Sequence, residues 1–180
     1  MRLDYFDNRY FERGASKSKE FLWLLSSWLF FSSRLPGSGW RTLLLRFFGA
    51  RIGQGVVFKS GVRVKMPWRL TIGDHCWIGE DVWIDNLAEV RLGDHVCVSQ
   101  GAYFCTGSHD WAKHSFDLIV KPIVVGPRAW IAAKCVVAPG VSVGDGAVLV
   151  LGSVATQDLE PLAIYAGNPA VRIKSRRFAP

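Results

Sequence analysis

The segments IGQGVVF at 52–58, IGDHCWI at 72–78 and LGDHVCV at 92–98 superpose on one another at steps of twenty residues. They belong to a longer series, in four groups, in which an aliphatic or aromatic residue recurs at steps of six. A mostly small or β-branched residue stands four places after each member, and glycine often follows the member directly. The series consists of Ile52, Phe58, Val64, Ile72, Ile78, Ile84, Leu92, Val98, Phe104, Val125, Ile131, Val137, Val143 and Leu149.

A period of six fits neither an amphipathic helix nor a simple alternating strand. It predicts a coil with three short strands per turn, in which each strand forms one wall of a triangular prism and the aliphatic residues point inward. We expect the recurrent glycines to supply the backbone angles at the corners. The steps from 64 to 72 and from 84 to 92 are eight, which predicts two extra residues at one corner of those coils. The predicted fold class is therefore all-β, a parallel β-helix.

The composition limits the choice of partners. Of the 180 residues, 49% are hydrophobic and 21% are charged, which excludes a disordered chain. The net charge of +7 favours an anionic partner. We expect no nucleic acid, because zinc-finger spacing, basic heptads and an RNP-like strand are all lacking. A phosphate-rich cofactor or an anionic membrane surface accounts for the charge equally well.

Two hydrophobic stretches precede the repeat, FLWLLSSWLFF at 21–31 and WRTLLLRFF at 40–48. Both are typical of helices, and the first is roughly half the ~20 residues that a membrane-spanning helix needs. One interpretation is that they cap the open end of the coil, since stacked repeats need a terminal cover. The other is peripheral contact with a membrane, with Trp23, Trp28 and Trp40 at the level of the headgroups.

The repeat is interrupted by the segment GSHDWAKHSFDLIVKP, between Thr106 and Ile123. An insertion must leave a stacked coil as a loop, usually on the functional face. This loop carries His109, with Asp110 beside it, and His114. Histidine is the usual general base at neutral pH. Taken by themselves, however, such residues more often belong to an ordinary surface loop.

A zinc site is one alternative use of these histidines. His109 and His114 stand five positions apart, as in the zinc pair of gamma-class carbonic anhydrases, which the chain resembles in fold type. Ser115 follows the pair where that class has glycine, and a third ligand would have to come from the corner of His75. His75 and His95 occupy equivalent GDH corners and are predicted to be turn residues. We therefore expect no metal. The four cysteines lack a C-x-x-C pair and are interpreted as small buried hydrophobes in a reducing, cytoplasmic compartment.

Five segments of the chain are specific enough to compare with known families. They are RTLLLRFFGARIG at 41–53, CTGSHD at 105–110, WIA at 130–132, VVAPGVSVGDGAV at 136–148 and AGNPA at 166–170. These motifs resemble those of the hexapeptide-repeat acyltransferases, above all the branch of colanic acid and other exopolysaccharide O-acetyltransferases. The resemblance implies a left-handed coil, and a homotrimer with active sites in clefts between neighbouring prisms. It also implies transfer of an acetyl group from acetyl-CoA to a hydroxyl or amine.

The same resemblance assigns roles to individual residues. His109 falls on the catalytic base of the family. Asp85 and Asn86, in an extra-residue corner, match the region that helps to place the acceptor, although a plain turn pair explains them as well. Asp110 is an alternative orienter of the histidine. The coenzyme A pattern carries over to Trp130, Ala133, Leu151 and Thr156 along the pantetheine arm and to Lys174 at the phosphates.

These observations predict three regions: an N-terminal hydrophobic or amphipathic helical segment (1–48), an acyltransferase domain (49–174) with a loop insertion at about 107–123, and a basic tail (175–180). The predicted activity is O-acetyl transfer to a saccharide acceptor of exopolysaccharide or cell-surface glycan biosynthesis. A lipid-linked acceptor would bring the chain to the inner face of the cytoplasmic membrane. A catalytically silent β-helix that serves as a scaffold or binding module remains the alternative from a different class.

Overall fold

A computed structural model describes residues 1–178 and shows a parallel β-helix of about six turns. The described residues contain nineteen short strands. They are β1 (Arg51–Ile52), β2 (Val57–Phe58), β3 (Arg63–Val64), β4 (Leu70–Ile72), β5 (Trp77–Ile78), β6 (Trp83–Asp85), β7 (Val90–Leu92), β8 (Cys97–Val98), β9 (Tyr103–Cys105), β10 (Gly107–His109), β11 (Leu118–Val120), β12 (Ile123–Val125), β13 (Trp130–Ile131), β14 (Val136–Val137), β15 (Ser142–Val143), β16 (Val148–Leu149), β17 (Val154–Ala155), β18 (Ala163–Gly167) and β19 (Ala170–Ser175).

The strands form the three walls of a prism. Sheet A has the order β1-β4-β7-β12-β15, sheet B the order β2-β5-β8-β13-β16-β18-β19, and sheet C the order β3-β6-β9-β14-β17. The walls are parallel except that β19 runs antiparallel to β18. Ile52 pairs with Ile72, and Phe58 with Ile78, which confirms the repeat of twenty residues. Every member of the hydrophobic series is buried, so these side chains form one continuous core along the prism axis.

The recurrent glycines have a different cause from the predicted one. Gly53 lies outside the left-handed region, and a Cβ built on it would come 2.7 Å from the carbonyl carbon of Gly73 in the next coil. Close approach of successive coils therefore requires glycine here. Left-handed backbone angles occur at the corners, two or more residues after these glycines. They are adopted by Gly55, His75, His95, Arg128 and Gly146 between sheets A and B, and by Gly61, Asp81, Gly101, Lys134 and Gly152 between sheets B and C.

The helical segment packs on the first coil of the prism. Helix α1 (Lys17–Ser26) begins after Ser16, whose side chain accepts a hydrogen bond from Lys19 N–H. It continues as a π-helical turn (Ser27–Phe31), and helix α2 (Gly39–Phe47) follows. Four side chains from these elements and their ends are buried in the core, with the Trp23 indole donating to the Val64 carbonyl at 3.1 Å. These side chains are Trp23, Phe31, Leu45 and Phe48.

The two ends of the described chain depart from the predicted regions. Residues 1–16 form an arm with a single 3₁₀ turn at Leu3–Tyr5 instead of a helix. Strand β19 extends the β-fold to Ser175, and Arg176 donates to the carbonyls of Arg128 and Gly146, both at 3.0 Å. The predicted basic tail is therefore partly structured, and its residues 179–180 lie outside the described residues. Within residues 1–178, no helix is both long and apolar enough to cross a membrane.

Candidate active site

The three irregular features of the repeat stack at one corner, between sheets C and A. The first coil turns this corner through a 3₁₀ turn, Pro67–Arg69, and the second through residues 86–89. The third coil opens here into the long insertion that carries His109. The two extra residues predicted for the first two coils thus build the base from which the insertion projects.

Asn86 ties two coils together at this corner. Its side chain is completely buried, and its amide oxygen accepts a hydrogen bond from Met66 N–H at 2.9 Å. Its amide nitrogen donates to the carbonyls of Met66 at 2.7 Å and Arg69 at 3.1 Å. Because both ends of the Asn86 amide are hydrogen-bonded to the backbone, this geometry favours a role for Asn86 in stabilising the corner over direct contact with an acceptor.

We expect Asn86→Ala to lower the free energy of unfolding by about 2–3 kcal/mol, because it leaves buried backbone groups without partners. Urea unfolding measures the change. Asn8→Ala is a matched control, since Asn8 is exposed on the N-terminal arm and its loss should cost little. Equal stability of the Asn86 variant and the wild type would contradict the assigned role.

Thr106 starts the insertion from the same corner. Its buried hydroxyl donates to the Asp85 carbonyl at 3.0 Å and accepts from Ala88 N–H at 2.9 Å. Its own carbonyl accepts from Lys121 N–H at 2.9 Å, where the insertion returns. Both ends of the insertion are therefore fixed to the coil.

The insertion is an antiparallel hairpin, not an irregular loop. Strand β10 pairs with β11 so that Gly107 faces Val120 and His109 faces Leu118. Beyond the last pair, Asp110 N–H donates to the Asp117 carbonyl at 2.9 Å. His109 is thus the last paired residue of its strand and is held by a regular backbone ladder.

The His109 imidazole is oriented by a backbone carbonyl. Its Nδ1 lies 2.8 Å from the carbonyl oxygen of Phe116, which belongs to the same hairpin. A carbonyl oxygen can only accept, so Nδ1 carries the proton when this bond is made. In the neutral imidazole, the free lone pair is then on Nε2. This tautomer is the one that a general base acting through Nε2 requires.

Two aromatic rings enclose the imidazole. The Phe116 ring stacks on it with centroids 4.2 Å apart, and the Phe6 ring meets it nearly edge-on at 5.6 Å. Phe6 belongs to the N-terminal arm, which is joined to the hairpin by Arg2 N–H to the His114 carbonyl and by the Tyr10 hydroxyl to the Leu118 carbonyl. The arm therefore forms one wall of the space around His109.

Asp110, which was predicted as a possible orienter of His109, contacts other groups of the hairpin. Its Oδ1 accepts from Ala112 N–H at 3.1 Å, and its Oδ2 lies 3.8 Å from the Lys113 ammonium. The group that contacts His109 Nδ1 is the Phe116 carbonyl oxygen. His114 is exposed at the hairpin tip, and His75 lies at a different corner of the prism. Among residues 1–178, no three His, Cys, Asp or Glu side chains come together to hold a metal ion.

Asp85 lies at the end of β6 and pairs in register with Cys105, two residues before the hairpin strand begins. Its Oδ1 forms an ion pair with the Lys65 ammonium at 2.8 Å. The Tyr103 hydroxyl donates to its Oδ2 at 3.3 Å. Burial, with the neighbouring thiol and carboxylate, raises the pKa of the Tyr103 phenol, so Tyr103 remains a neutral donor. Asp85 is thus a charged, mostly shielded acceptor beside the hairpin.

The residues matched to coenzyme A lie along two different edges. Trp130 is exposed on the outer face of sheet B, with its indole donating to the Ser99 hydroxyl at 2.9 Å. Ala133 and Leu151 stack at the adjoining corner between sheets B and C, where Gly152 N–H donates to the Ala133 carbonyl. Thr156 follows β17 at the corner between sheets C and A, the edge that also carries His109. Lys174 is exposed on β19, opposite Ile164.

A relative identifies the family. The chain is 40% identical over 166 residues to the Escherichia coli (strain K12) protein named "Putative colanic acid biosynthesis acetyltransferase WcaF". That match covers 92% of this chain and 91% of the relative. The chain belongs to the hexapeptide-repeat acetyltransferases. No protein-family model matches it.

Two solved structures place this hexapeptide-repeat acetyltransferase among similar folds. One is a hexapeptide-repeat acetyltransferase of Vibrio cholerae O1 biovar eltor complexed with acetyl coenzyme A, with 26% identity and a TM-score of 0.79. It covers 90% of this chain, and this chain covers 87% of it. The other is a galactoside acetyltransferase with coenzyme A, at 23% identity and a TM-score of 0.79, with coverages of 89% and 82%. The predicted fold class, a left-handed parallel β-helix with a short N-terminal helical segment, is confirmed.

Three features of the candidate site were not foreseen from the sequence of this hexapeptide-repeat acetyltransferase. The Phe116 carbonyl is a backbone group and leaves no signature in residue type. Phe6 is 103 positions from His109, and nothing local links them. The position of Tyr103 could have been predicted from the repeat, because Trp83 and Tyr103 are twenty residues apart. Their rings stack with centroids 4.5 Å apart, which places the Tyr103 hydroxyl near the end of β6 and Asp85.

Proposed function

We propose that this acyl-CoA-dependent acetyltransferase moves an acetyl group from acetyl-CoA to a hydroxyl of a saccharide, with His109 as general base. The observation that carries the proposal is the bond between His109 Nδ1 and the Phe116 carbonyl oxygen, which in the neutral imidazole places the lone pair on Nε2, in a space bordered by Phe6 and Phe116. Acetyl-CoA in the similar Vibrio cholerae structure supports the choice of donor.

The chemistry follows from a neutral imidazole. Nε2 removes the proton of the acceptor hydroxyl while its oxygen attacks the thioester carbonyl carbon. The tetrahedral intermediate carries an oxyanion, which backbone N–H groups lining the cleft stabilise. When the C–S bond breaks, the acetyl group stays on the acceptor oxygen as an ester. The proton on Nε2 passes to the departing thiolate, so the imidazole returns neutral.

The site needs more than one copy of the chain. His109 and Thr156 lie at one edge of sheet C, whereas Ala133 and Leu151 lie at its other edge and Trp130 on the next wall. Packing the His109 edge of one copy against the edge of another that carries Ala133 and Leu151 brings base and donor together. Closed cyclic symmetry repeats this contact around a ring, and the proposed assembly is a homotrimer.

Asp85 is proposed to place the acceptor. Its carboxylate accepts from Tyr103 and pairs with Lys65, so it is fixed in position next to the hairpin. An ionised carboxylate accepts hydrogen bonds from sugar hydroxyls without donating any. Asn86 supports this corner from below through the backbone of the preceding coil.

The acceptor class rests on relatives. The galactoside O-acetyltransferase of Escherichia coli (strain K12) is 26% identical over 132 residues, which is 72% of this chain and 65% of that protein. The name of the 40% identical relative refers to colanic acid biosynthesis. We infer a saccharide acceptor in exopolysaccharide or cell-surface glycan biosynthesis. If that saccharide is linked to a lipid, acetyl transfer takes place at the inner face of the cytoplasmic membrane.

Thiol release from acetyl-CoA, measured against a panel of mono- and oligosaccharides, tests the proposal. We expect release that depends on the acceptor and rises with its concentration to saturation. The panel includes a saccharide linked to a short polyprenyl chain, so that a lipid-linked acceptor is represented. Failure of every acceptor to increase thiol release would contradict the proposal and favour a silent scaffold.

The wall formed by Phe6 gives a second expected result. We expect Phe6→Ala to raise the KM for the acceptor about threefold to tenfold, because one aromatic contact beside the base is lost. The KM for acetyl-CoA should stay unchanged. Steady-state kinetics with each substrate varied in turn measure both constants. Tyr5→Ala is the matched control, since Tyr5 is exposed on the same arm and its ring lies under the Arg2 guanidinium. An equal change in both variants would mean that Phe6 does not border the acceptor.

A further inference from the structure

The helical cap exposes a large apolar surface on the side turned away from the core. Trp28 is 77% exposed and Phe47 is 81% exposed, whereas Trp23 and Phe31 of the same elements are buried. We call this surface the outer cap face. Its members are Phe21, Leu22, Leu24, Leu25, Trp28, Leu29, Phe30, Leu35, Leu43 and Phe47.

The outer cap face follows from an excess of apolar residues in the sequence. Helix α1 and its π-helical turn need only Trp23 and Phe31 to cover the coil, yet nearly all residues from 21 to 31 are apolar. The remainder cannot face the core and is left exposed. A contiguous exposed patch of this kind marks a surface that meets an apolar partner.

A groove between the two helical elements deepens the outer cap face. It has a volume of about 770 Å³ and opens to solvent. The lining is aliphatic and aromatic, without a charged side chain. It consists of Phe30, Leu35, Pro36, Trp40, Leu43, Leu44 and Phe47. Such a groove accepts a flexible apolar chain.

Positively charged residues adjoin this apolar surface. Residues 15–51 contain six basic side chains and one acidic side chain, a difference of +5 out of the total +7. The acidic residue, Glu20, is already paired with Arg13 at 2.7 Å. Arg34 and Arg46 directly adjoin Leu35 and Phe47 in the chain and are exposed. The basic residues with surface exposure, called the basic rim, are Lys17, Lys19, Arg34, Arg46 and Arg51. The sixth, Arg41, is buried and donates to backbone carbonyls of the cap.

We propose that the outer cap face docks on an anionic phospholipid surface. Aromatic and aliphatic side chains enter the boundary between headgroups and acyl chains, and the basic rim meets the lipid phosphates. The groove takes part of an acyl chain. A second copy of this chain is the less favoured occupant, because it would bring two rims of like charge together.

This proposal is independent of the chemistry at His109. The outer cap face lies at the first coil, on strands β1 to β3, whereas the hairpin leaves the third coil. Loss of membrane binding and loss of acetyl transfer are therefore separate results.

Co-sedimentation of the full-length chain with vesicles tests the docking. Vesicles of phosphatidylcholine with phosphatidylglycerol are compared with vesicles of phosphatidylcholine alone. We expect binding to the first that weakens at high salt, and little binding to the second. The double variant Trp28→Ser, Phe47→Ser should bind the anionic vesicles at least about tenfold more weakly, since two large exposed apolar side chains are lost.

Trp111→Ser is the matched control, because Trp111 is 83% exposed but lies on the hairpin. It should bind vesicles as the wild type does. Thermal unfolding followed by circular dichroism verifies that the double variant is folded. Absence of wild-type binding, equal binding to neutral vesicles, or equal loss in the Trp111 variant would overturn the proposal. A double variant that dissociates into smaller species while binding vesicles normally would identify the outer cap face as an interface between copies.

Discussion

His109→Ala is expected to lower kcat for acetyl transfer by about 10²- to 10⁴-fold, the contribution of a positioned general base. Without the imidazole, the acceptor hydroxyl must lose its proton to water while it attacks the thioester. The KM for acetyl-CoA should change little, because the imidazole acts on the acceptor hydroxyl, whereas the donor is held by other residues in the proposed site, Trp130 and Ala133 among them. Initial rates of thiol release with the preferred acceptor measure both constants.

His114→Ala is the control for the same hairpin. The His114 side chain is exposed and only its backbone carbonyl is used, by Arg2 N–H, so the variant should retain wild-type kcat within about twofold. Thermal unfolding should be the same for both variants and the wild type. A large loss in the His114 variant with a small loss in the His109 variant would move the base to the hairpin tip.

Phe104→Ala is expected to lower the free energy of unfolding by about 3–5 kcal/mol. Phe104 is fully buried in the third coil and pairs in register with Ile84 below and Val137 above. Its ring therefore belongs to the stack that joins the coils on both sides of the hairpin. Equilibrium unfolding in guanidinium chloride, followed by circular dichroism, measures the change.

Trp77→Ala is the control that tests whether the loss of stability comes from burial or from aromatic character. Trp77 is a larger aromatic residue in the same repeat, but it points outward from sheet B and is 44% exposed beneath Lys59. Its loss should cost clearly less than that of Phe104, because no cavity forms inside the prism. Similar losses for the two variants would contradict the assignment of inward and outward positions.

The sequence predicted the coil because its signal is repeated many times. A step of six sets which side chains point inward, and the observed pairs such as Ile52 with Ile72 follow it. The reason given for the glycines was wrong, however. The left-handed corners are occupied by residues as different as His75 and Lys134, while Gly53 is needed because the next coil comes too close for a Cβ. The sequence of one coil does not show how closely the backbone of the next coil approaches it.

The site could be predicted only in part. His109 was singled out because it lies in the segment that interrupts the repeat and falls on the catalytic base of the family it resembles, and its role stays a prediction. Its surroundings were missed because they depend on tertiary contacts. Its orienting group is a backbone oxygen, and one of its walls comes from the N-terminal arm. Asn86 was expected beside the acceptor, but its side chain is turned into the corner and bonds the backbone of Met66 and Arg69. The residue types fit both roles, and only the direction of the side chain distinguishes them.

The most direct test of the account is the identity of the bond formed during transfer. Acetyl-CoA carrying an isotope-labelled acetyl group is incubated with the enzyme and its preferred saccharide, and the product is examined by nuclear magnetic resonance. The account predicts a labelled acetyl ester on a sugar oxygen, formed by the wild type and lost in the His109→Ala variant. A labelled amide, or an ester formed equally by both proteins, would contradict it.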